Sequence, residues 1–479
     1  MMKSIVEESL VTFKELEQKI FAYVCETAVE MTQIILEDYD EELHAGRDRS
    51  RYRDKGKRTT TIKTVYGDVT YDRHVYQTID EEGHRAFVYL LDKAVKMDKI
   101  GLISTNLAEK IVSCVTENPY RVTADIITST SGQRISHGGA WKLVQKLGER
   151  VSGEEEVLVK QMNADEAEGS REIKVLFEEM DGVWLRLQGK DHKSIPKQEM
   201  KVATVYEGWD KEDRTGSRLC GKKVIAGMEK SSEFHEKREA QIRSIYNADE
   251  IEYRILNGDG GSWIKDPYEP DTVFQLDRFH IRQEIKRKLN QDKEAAKAVE
   301  GLFEAEKMDE MLSYIRIYAD SVETEDEKDK RAKKARELYE YLNHNKEGLM
   351  PYQKRGIMLP EPPEGMKYGN MGVQENQNCT VITMRMKGDR KRWSVKGANN
   401  MAKLLYRKEN KELAETVNRY AEGLIFNIRM TEIITTLSAA KAPKKDGKGN
   451  PYIDVINMHV PMRDAIQTAS RRAFAKALL

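Results

Sequence analysis

The sequence predicts an α/β core, a mixed sheet flanked by helices, with a mainly helical region before it and a helical insertion inside it. Three observations carry this. Between Lys174 and about Leu289, runs rich in β-branched and aromatic residues alternate with stretches of helical spacing. Residues 2 to about 45 repeat apolar side chains at three- and four-residue steps. Residues 284–350 are charged and helical in pattern. At 479 residues the chain has room for two or three domains and a substantial core.

Composition narrows the function classes. Thirty-four per cent charged residues and a mean hydropathy of −0.69 describe a soluble protein. No run of about eighteen apolar residues exists, so no membrane partner is expected. The opening MMKSIVEESLVTFKELEQKIF lacks a signal peptide's apolar core and small-residue cleavage site, which predicts a cytoplasmic protein. Cys25, Cys114, Cys220 and Cys379 form no CxxC pair. That argues against a zinc ribbon or a disulfide framework, and each is expected as buried apolar filler. With a net charge of −1, any affinity for nucleic acid must come from local patches.

The elements follow in order. The first helix, residues 1–45, carries Val6, Leu10, Phe13, Leu16, Ile20 and Tyr23. Residues 46–100 form a basic arm and a β-hairpin. The stretch RDRSRYRDKGKRTTTIK holds eight Lys or Arg against two Asp, and TVYGDVTYDRHVYQ turns at Tyr66-Gly67-Asp68. Arg47, Arg49, Arg51, Arg53, Lys55, Lys57 and Arg58 either lie along phosphates or form a solvated connector. Residues 101–152 read as three short helices. A helix from near Pro119 carries Val122, Ile126 and Ile127, stops at Ser131-Gly132, and is followed by another after Ser136. This is the helix-turn-helix outline, in which His137, Lys142, Gln145 and Lys146 would face a groove or phosphates. Many helical hairpins share the outline without binding DNA.

Residues 170–283 hold the first part of the core. The strand VLFEEMDGVWLRL, Val175 to Leu187, presents Glu179 and Asp181 in the middle of one otherwise apolar face. In isolation this is an edge strand with solvated acids or a strand ending in a turn at Asp181-Gly182. KVATVYEGW, KKVIAGM, a helix and EIEYRILNGDGG follow, the last strand ending in Asp259. TVFQLDRFHIRQEIKRKL is a further strand and helix. A helical insertion, 284–365, precedes the last part of the core, 366–410, and a C-terminal helical region, 411–479. The stretch KAPKKDGKGNP from Lys441 reads as a loop.

Three strands, a helix and a fourth strand is the connectivity of the ribonuclease H-like fold. That fold places one Asp in the middle of its first strand and another at the end of its fourth, the positions of Asp181 and Asp259. Two-metal phosphoryl transfer needs a further carboxylate, since two nearby cations require several hard oxygen ligands. On a helix starting near Gly372, Glu375 shares a face with Cys379, Ile382 and Met386, and that face is expected to pack on the sheet. A Glu there also complements the helix dipole. Glu179 is left as a further metal ligand, a neighbour tuning the site, or the partner of a Lys or Arg.

The stretches FEEMDGVWLRLQGK, YEGW, ILNGDGGSWIK, FQLDRFHI, ENQNCTVITMRMK and RWSVKGANNMAKLL resemble a bacterial insertion-sequence transposase of the ISLre type. This formerly uncharacterised protein family belongs to the DDE transposases related to the Mutator-like group. The resemblance also covers the arm RYRDKGKRTTTIKTVYGDV and the helix pair, so it spans nearly the whole chain. It implies that Asp181, Asp259 and Glu375 are the catalytic triad, holding two Mg²⁺ (or Mn²⁺) ions. It further implies that Asp277 and His280 match the D/C-x-x-H signature after the second Asp, and that the insertion before the third acid is helical. Arg385, Lys387, Arg390, Lys391 and Arg392 would hold DNA backbone; Trp393 would stack on a splayed base or anchor the core. The partners implied are the element's terminal inverted repeats, target DNA and a second copy in a synaptic assembly. Two other functions fit: a DNA-binding protein that does not cut, and a ribonuclease H-like nuclease. A minimal nuclease would lack the N-terminal region and the insertion.

Overall fold

A computed structural model of the protein describes residues 12–419, apart from 81–82, 96–102, 168, 216–217, 266, 269–271 and 326–329. Val6, Leu10 and the loop from Lys441 lie outside the described residues. Two compact units are present. One runs to Lys110 and takes in Ala124–Ser136; the other is Ile111–Thr123 with His137–Val417.

In the first unit, helix α1 (Phe13–Gly46) starts at a reciprocal cap. The Thr12 hydroxyl accepts the Glu15 amide at 3.3 Å, and Glu15 accepts the Thr12 amide at 2.8 Å. The expected apolar stripe is only partly covered: Leu16 and Tyr23 are half-buried, whereas Phe13 and Ile20 are exposed. Burial concentrates further along, where Leu36 packs with Val69, Tyr71 and Leu91. Strands β1 (Arg53–Thr64), β2 (Gly67–Ile79) and β3 (Arg85–Val88) form an antiparallel sheet in that order. The hairpin turns at Val65-Tyr66, because Thr64 pairs with Gly67. From Arg53 onward the basic stretch is strand rather than a loose arm, since its backbone pairs with β2 as far as Gln77.

Helices α2 (Thr105–Val115), α3 (Tyr120–Thr130) and α4 (His137–Asn163) stand where three short helices were expected, but α4 is much longer. On α3 the buried side chains are Thr123, Ala124 and Ile127, while Val122 and Ile126 are exposed.

The second unit contains the main sheet. Its strands are β4 (Val175–Arg186), β5 (Lys197–Tyr206), β6 (Lys223–Gly227), β7 (Tyr253–Gly258) and β8 (Val273–Leu276), with α5 (Ser231–Ile245) between β6 and β7. The order across the sheet is β8-β7-β4-β5-β6. β4 runs antiparallel to β5 and parallel to β7, so it is central and buried on both faces. Val175 and Phe177 pack with Tyr206, Trp209 and Tyr352 on one face; Met180 packs with Ala203, Ile225 and Phe234 on the other. A central strand of this kind should be apolar throughout, and its acids are therefore each matched to a partner. Glu178 meets Arg238 at 3.2 Å and Arg254 at 3.3 Å.

After β8 come α6 (Arg278–Lys288), α7 (Lys293–Glu304), α8 (Met308–Glu325) and α9 (Lys330–His344). They share a core that includes Ile281, Ile285, Val299, Phe303, Met311, Ile315, Leu338 and Leu342. The chain returns as α10, a continuous helical run of Gln374–Gln377, Asn378–Thr383 and Met384–Met386 whose middle stretch is a π-turn. Helices α11 (Val395–Glu409) and α12 (Leu413–Arg419) follow. Among the described residues no helix is long and apolar enough to cross a membrane. The cysteines are free; Cys25, Cys114 and Cys220 are half-buried and Cys379 is exposed, so none is the buried filler expected.

Candidate active site

Strand register brings the two aspartates together. In the parallel pair β4–β7, Met180 is opposite Gly258, so the next residues, Asp181 and Asp259, emerge side by side. Adjacent strands lie about 4.8 Å apart. On the far side of β7, Leu276 of β8 also pairs with Gly258, and the Asp277 amide donates to the Gly258 carbonyl at 2.8 Å. Asp181, Asp259 and Asp277 thus follow equivalent positions on three neighbouring strands.

Each acid is held differently. Asp181 Oδ1 accepts its neighbour's amide, Gly182 N–H, at 2.7 Å, and Oδ2 accepts Asn378 Nδ2 at 2.7 Å. Asp259 Oδ1 accepts the Gly261 amide at 2.8 Å. Burial pushes the Asp259 carboxyl up, the Gly261 amide partly offsets this, and the Asp181 charge pushes it further up. Asp277 caps α6: its Oδ1 accepts the amides of Phe279 and His280 at 2.7 and 3.3 Å, and Oδ2 accepts Asn257 at 2.6 Å. The cap aims His280 at the sheet, where Nε2 lies 3.4 Å from Asp181 Oδ2. Burial alone would lower His280, but the hydrogen bond to Asp181 and the charges of Asp181, Asp277 and Asp259 lift it to about 9. The two residues of the D-x-x-H pattern therefore divide the work, one positioning the helix and the other contacting Asp181.

Glu179 is held by neutral donors rather than by a Lys or Arg. Fully buried, it accepts Tyr206 Oη at 2.6 Å, Asn257 Nδ2 at 3.0 Å, and the amides of Gly372, Val373 and Gln374 at 3.0, 3.0 and 3.3 Å. Its oxygens are saturated by donors, and it anchors the N-terminus of α10 to β4.

This anchoring sets the rotation of α10 and corrects the expected face. The side chains turned inward are Gln374, Gln377, Asn378, Val381, Ile382, Arg385 and Met386, whereas Glu375 and Cys379 are exposed. Gln374 bonds to Thr204 Oγ1 at 2.8 Å and to the Val202 carbonyl at 3.2 Å, and Asn378 reaches Asp181. The carboxylate oxygens of Asp181, Asp259 and Glu375 are not all within 4.8 Å of one another.

A carboxylate that sequence reasoning missed feels the charges of both aspartates. Glu199 on β5 lies over Gly182, where a Cβ would sit 1.9 Å from Glu199 Oε1. Burial pushes the Glu199 carboxyl up, Lys201 pulls it down, and the charges of Asp259 and Asp181 push it up again. Two sequence signals could have found it: a glycine inside a central strand, which marks close approach, and the same-face spacing of Glu199 and Lys201. The carboxylate oxygens of Asp181, Asp259 and Glu199 are likewise not all within 4.8 Å of one another, although Asp181 and Asp259 offer hard oxygen donors whose mutual repulsion a divalent cation would relieve.

The expected DNA-facing residues separate into two groups. Exposed are Arg49, Arg51, Arg53, Lys55, Lys57, Arg58, His137, Lys142, Lys146, Lys387, Arg390 and Arg392. Arg47 and Lys391 are half-buried, Arg47 stacking over Tyr76 and Lys391 lying 3.7 Å from Asp389. Lys57 pairs with Glu41 at 2.5 Å. Two expectations, Gln145 and Arg385, are corrected, and of the two readings of Trp393 the core anchor is the one found. Gln145 is buried and accepts Asn400 Nδ2 at 2.8 Å. Arg385 is buried, donates to the Val115 carbonyl at 2.7 Å, and lies over the rings of Tyr120 and Trp393. Trp393 is a core anchor, its Nε1 donating to the Met386 carbonyl at 2.9 Å and its amide to Arg186 at 3.0 Å. Gln145 and Arg385 were placed by polarity or charge alone, whereas helix rotation decides which side faces out; Trp393 is held by its bridge to Leu187. The same groove that Lys391 and Arg392 line also presents the exposed ring of Trp141.

Residues 6–419 match the family described as "Uncharacterised protein family (UPF0236)". The chain is 25% identical over 412 residues to the "UPF0236 protein in vanSb 3'region" of Streptococcus gallolyticus, covering 83% of each. It is 24% identical over 417 residues to a UPF0236 protein of Caldanaerobacter subterraneus subsp. tengcongensis, covering 86% of this chain and 79% of that one.

Proposed function

The chain belongs to the uncharacterised protein family UPF0236, and we propose that it is a DDE-type DNA transposase of an insertion sequence. It would cut the ends of its element and join the freed 3′-hydroxyl to target DNA. The observation that carries this reading is the register that sets Asp181 beside Asp259 at the ends of paired parallel strands. The strand order and directions around β4 support a ribonuclease H-like core, and α3 and α4 support a helix-turn-helix. The name of the Caldanaerobacter relative gathers eleven locus designations, and another gathers four. One protein encoded at many loci of a genome is what a mobile element leaves.

Asp181 and Asp259 would hold Mg²⁺ or Mn²⁺, two ions in the usual scheme, with a third carboxylate. Those ions, when bound, supply an activated water or 3′-hydroxyl and stabilise the leaving oxygen. The chain's own residues do the rest. Asn378 and His280 orient Asp181, and Asp277 fixes His280 through its helix. The exposed cations of β1, α4 and the 387–392 loop would carry the phosphate backbone, and Trp141 would supply a stacking ring. By the order of elements the third acid is Glu375; by position Glu199 competes for the role. A second copy of the chain would complete a synaptic assembly with both element ends.

Purified protein with a duplex carrying an element end tests this. Asp181→Asn should abolish Mg²⁺-dependent nicking while DNA binding stays within a few-fold. Loss in Glu375→Gln with activity kept in Glu199→Gln assigns Glu375 as third acid; the reverse assigns Glu199. Undiminished nicking by Asp181→Asn removes the active-site assignment.

A further inference from the structure

A separate cluster of ligating side chains lies in the first unit, on α1, β1 and β2. His44 is in the last turn of α1, Asp54 near the start of β1 and His74 within β2. One ligand atom from each lies within 4.8 Å of the others, and no other trio of His, Cys, Asp and Glu among the described residues is gathered so closely. The two imidazoles stack with ring centroids 4.0 Å apart.

The surroundings are built as metal sites are built. His74 Nδ1 and its backbone amide lie 2.6 and 2.8 Å from Asp40 Oδ2, and Asp40 is 1% exposed. A carboxylate behind an imidazole fixes its tautomer and raises the basicity of the other nitrogen. His44 Nδ1 is 3.1 Å from the hydroxyl of buried Tyr76. Each ring therefore has one nitrogen engaged and Nε2 left over. On β1 a bulge lies between Asp54 and Lys57, so that Asp54 pairs with Tyr76 while Lys57 pairs with His74. Gly56, at φ 84°, forms the kink, and one Asp54 oxygen accepts its amide at 2.9 Å. The bulge brings Asp54 to the face that carries His74 and Tyr76, as bulges beside functional sites do.

We propose that His44, Asp54 and His74 bind a divalent transition-metal ion of the zinc type, clamping the end of α1 to the hairpin that carries the basic strand. Two imidazoles and one carboxylate suit such an ion, with water as fourth ligand, whereas Mg²⁺ prefers all-oxygen surroundings. Ligands about 2.0–2.1 Å from a tetrahedral ion lie about 3.4 Å apart.

The test uses Co²⁺ as a spectroscopic probe on the full chain. Wild type and Asp181→Asn should both bind one Co²⁺ with the visible absorption of a tetrahedral site, displaced by one equivalent of Zn²⁺. His44→Gln and Asp54→Asn should each weaken that binding at least tenfold and lose the rise in Tm that Zn²⁺ gives wild type. Asp54 is exposed and Asn keeps its shape, so this variant retains the fold, which circular dichroism checks. No tetrahedral Co²⁺ signal in wild type, or an undiminished signal in both variants, overturns the site. Because Co²⁺ binding is read directly, this result stands apart from whether Asp181 supports nicking.

Discussion

Glu179 and Asp181 lie two residues apart on one face of β4, yet their surroundings give them opposite tasks. Glu179 receives donors from a tyrosine, an asparagine and three backbone amides. Asp181 shares its neighbourhood with Asp259, Glu199 and His280. Replacing Glu179 by Gln puts an NH₂ group among groups that all donate, and leaves buried amides unpaired. We expect a loss of about 2–4 kcal/mol of stability, measured by urea unfolding, with nicking falling because α10 loses its anchor. Unchanged stability would mean that the α10 N-terminus is held by other contacts.

Elements are joined by a buried ionic group as well as by apolar packing. Lys403 of α11 lies 2.8 Å from Glu155 of α4 and 2.7 Å from Glu229, and Lys237 of α5 lies 3.2 Å from Glu229. Burial would raise Glu229, but Lys403 and Lys237 override it and hold the carboxyl at about 2. A depressed carboxyl adds stability above its unfolded value near 4.5, and loses it as pH falls through the folded one. The difference in unfolding free energy between wild type and Glu229→Gln should therefore be greatest above about pH 4.5 and close toward pH 2. Its plateau is on the order of 3 kcal/mol. A gap that does not vary with pH would show that the charge of Glu229 contributes nothing. The partners that join α4 to α11 were not foreseeable from spacing, since Tyr406 and Glu155, which also bond there, stand 251 positions apart.

The helical stretch from α6 to α9 closes its own core against the end of β8, with Phe303 fully buried at its centre and Arg278 stacked 4.3 Å over that ring. Phe303→Ala should cost about 3–5 kcal/mol, read from the denaturation midpoint. Binding of an element-end duplex per folded molecule should persist, because the cations assigned to DNA lie on other elements. Loss of DNA binding in protein shown to be folded would place this stretch in the DNA interface.

Much was legible without coordinates, and for identifiable reasons. Alternation and turn chemistry marked β4, the hairpin and the strand that ends before Asp259, because those signals are local. The order of elements then put Asp181 and Asp259 forward together. Rotation and register are not local properties. The anchoring of α10 by Glu179 turned Gln374 and Asn378 inward in place of Glu375, and packing buried Gln145, Arg385 and Trp393. The His44–Asp54–His74 group became visible only when strand pairing and the docking of α1 brought together residues that periodicity treats as unrelated, whereas Glu199 left a local trace in the glycine opposite it. A chain specifies its elements through near neighbours; the chemistry of a site depends on which distant side chains the packed elements place side by side.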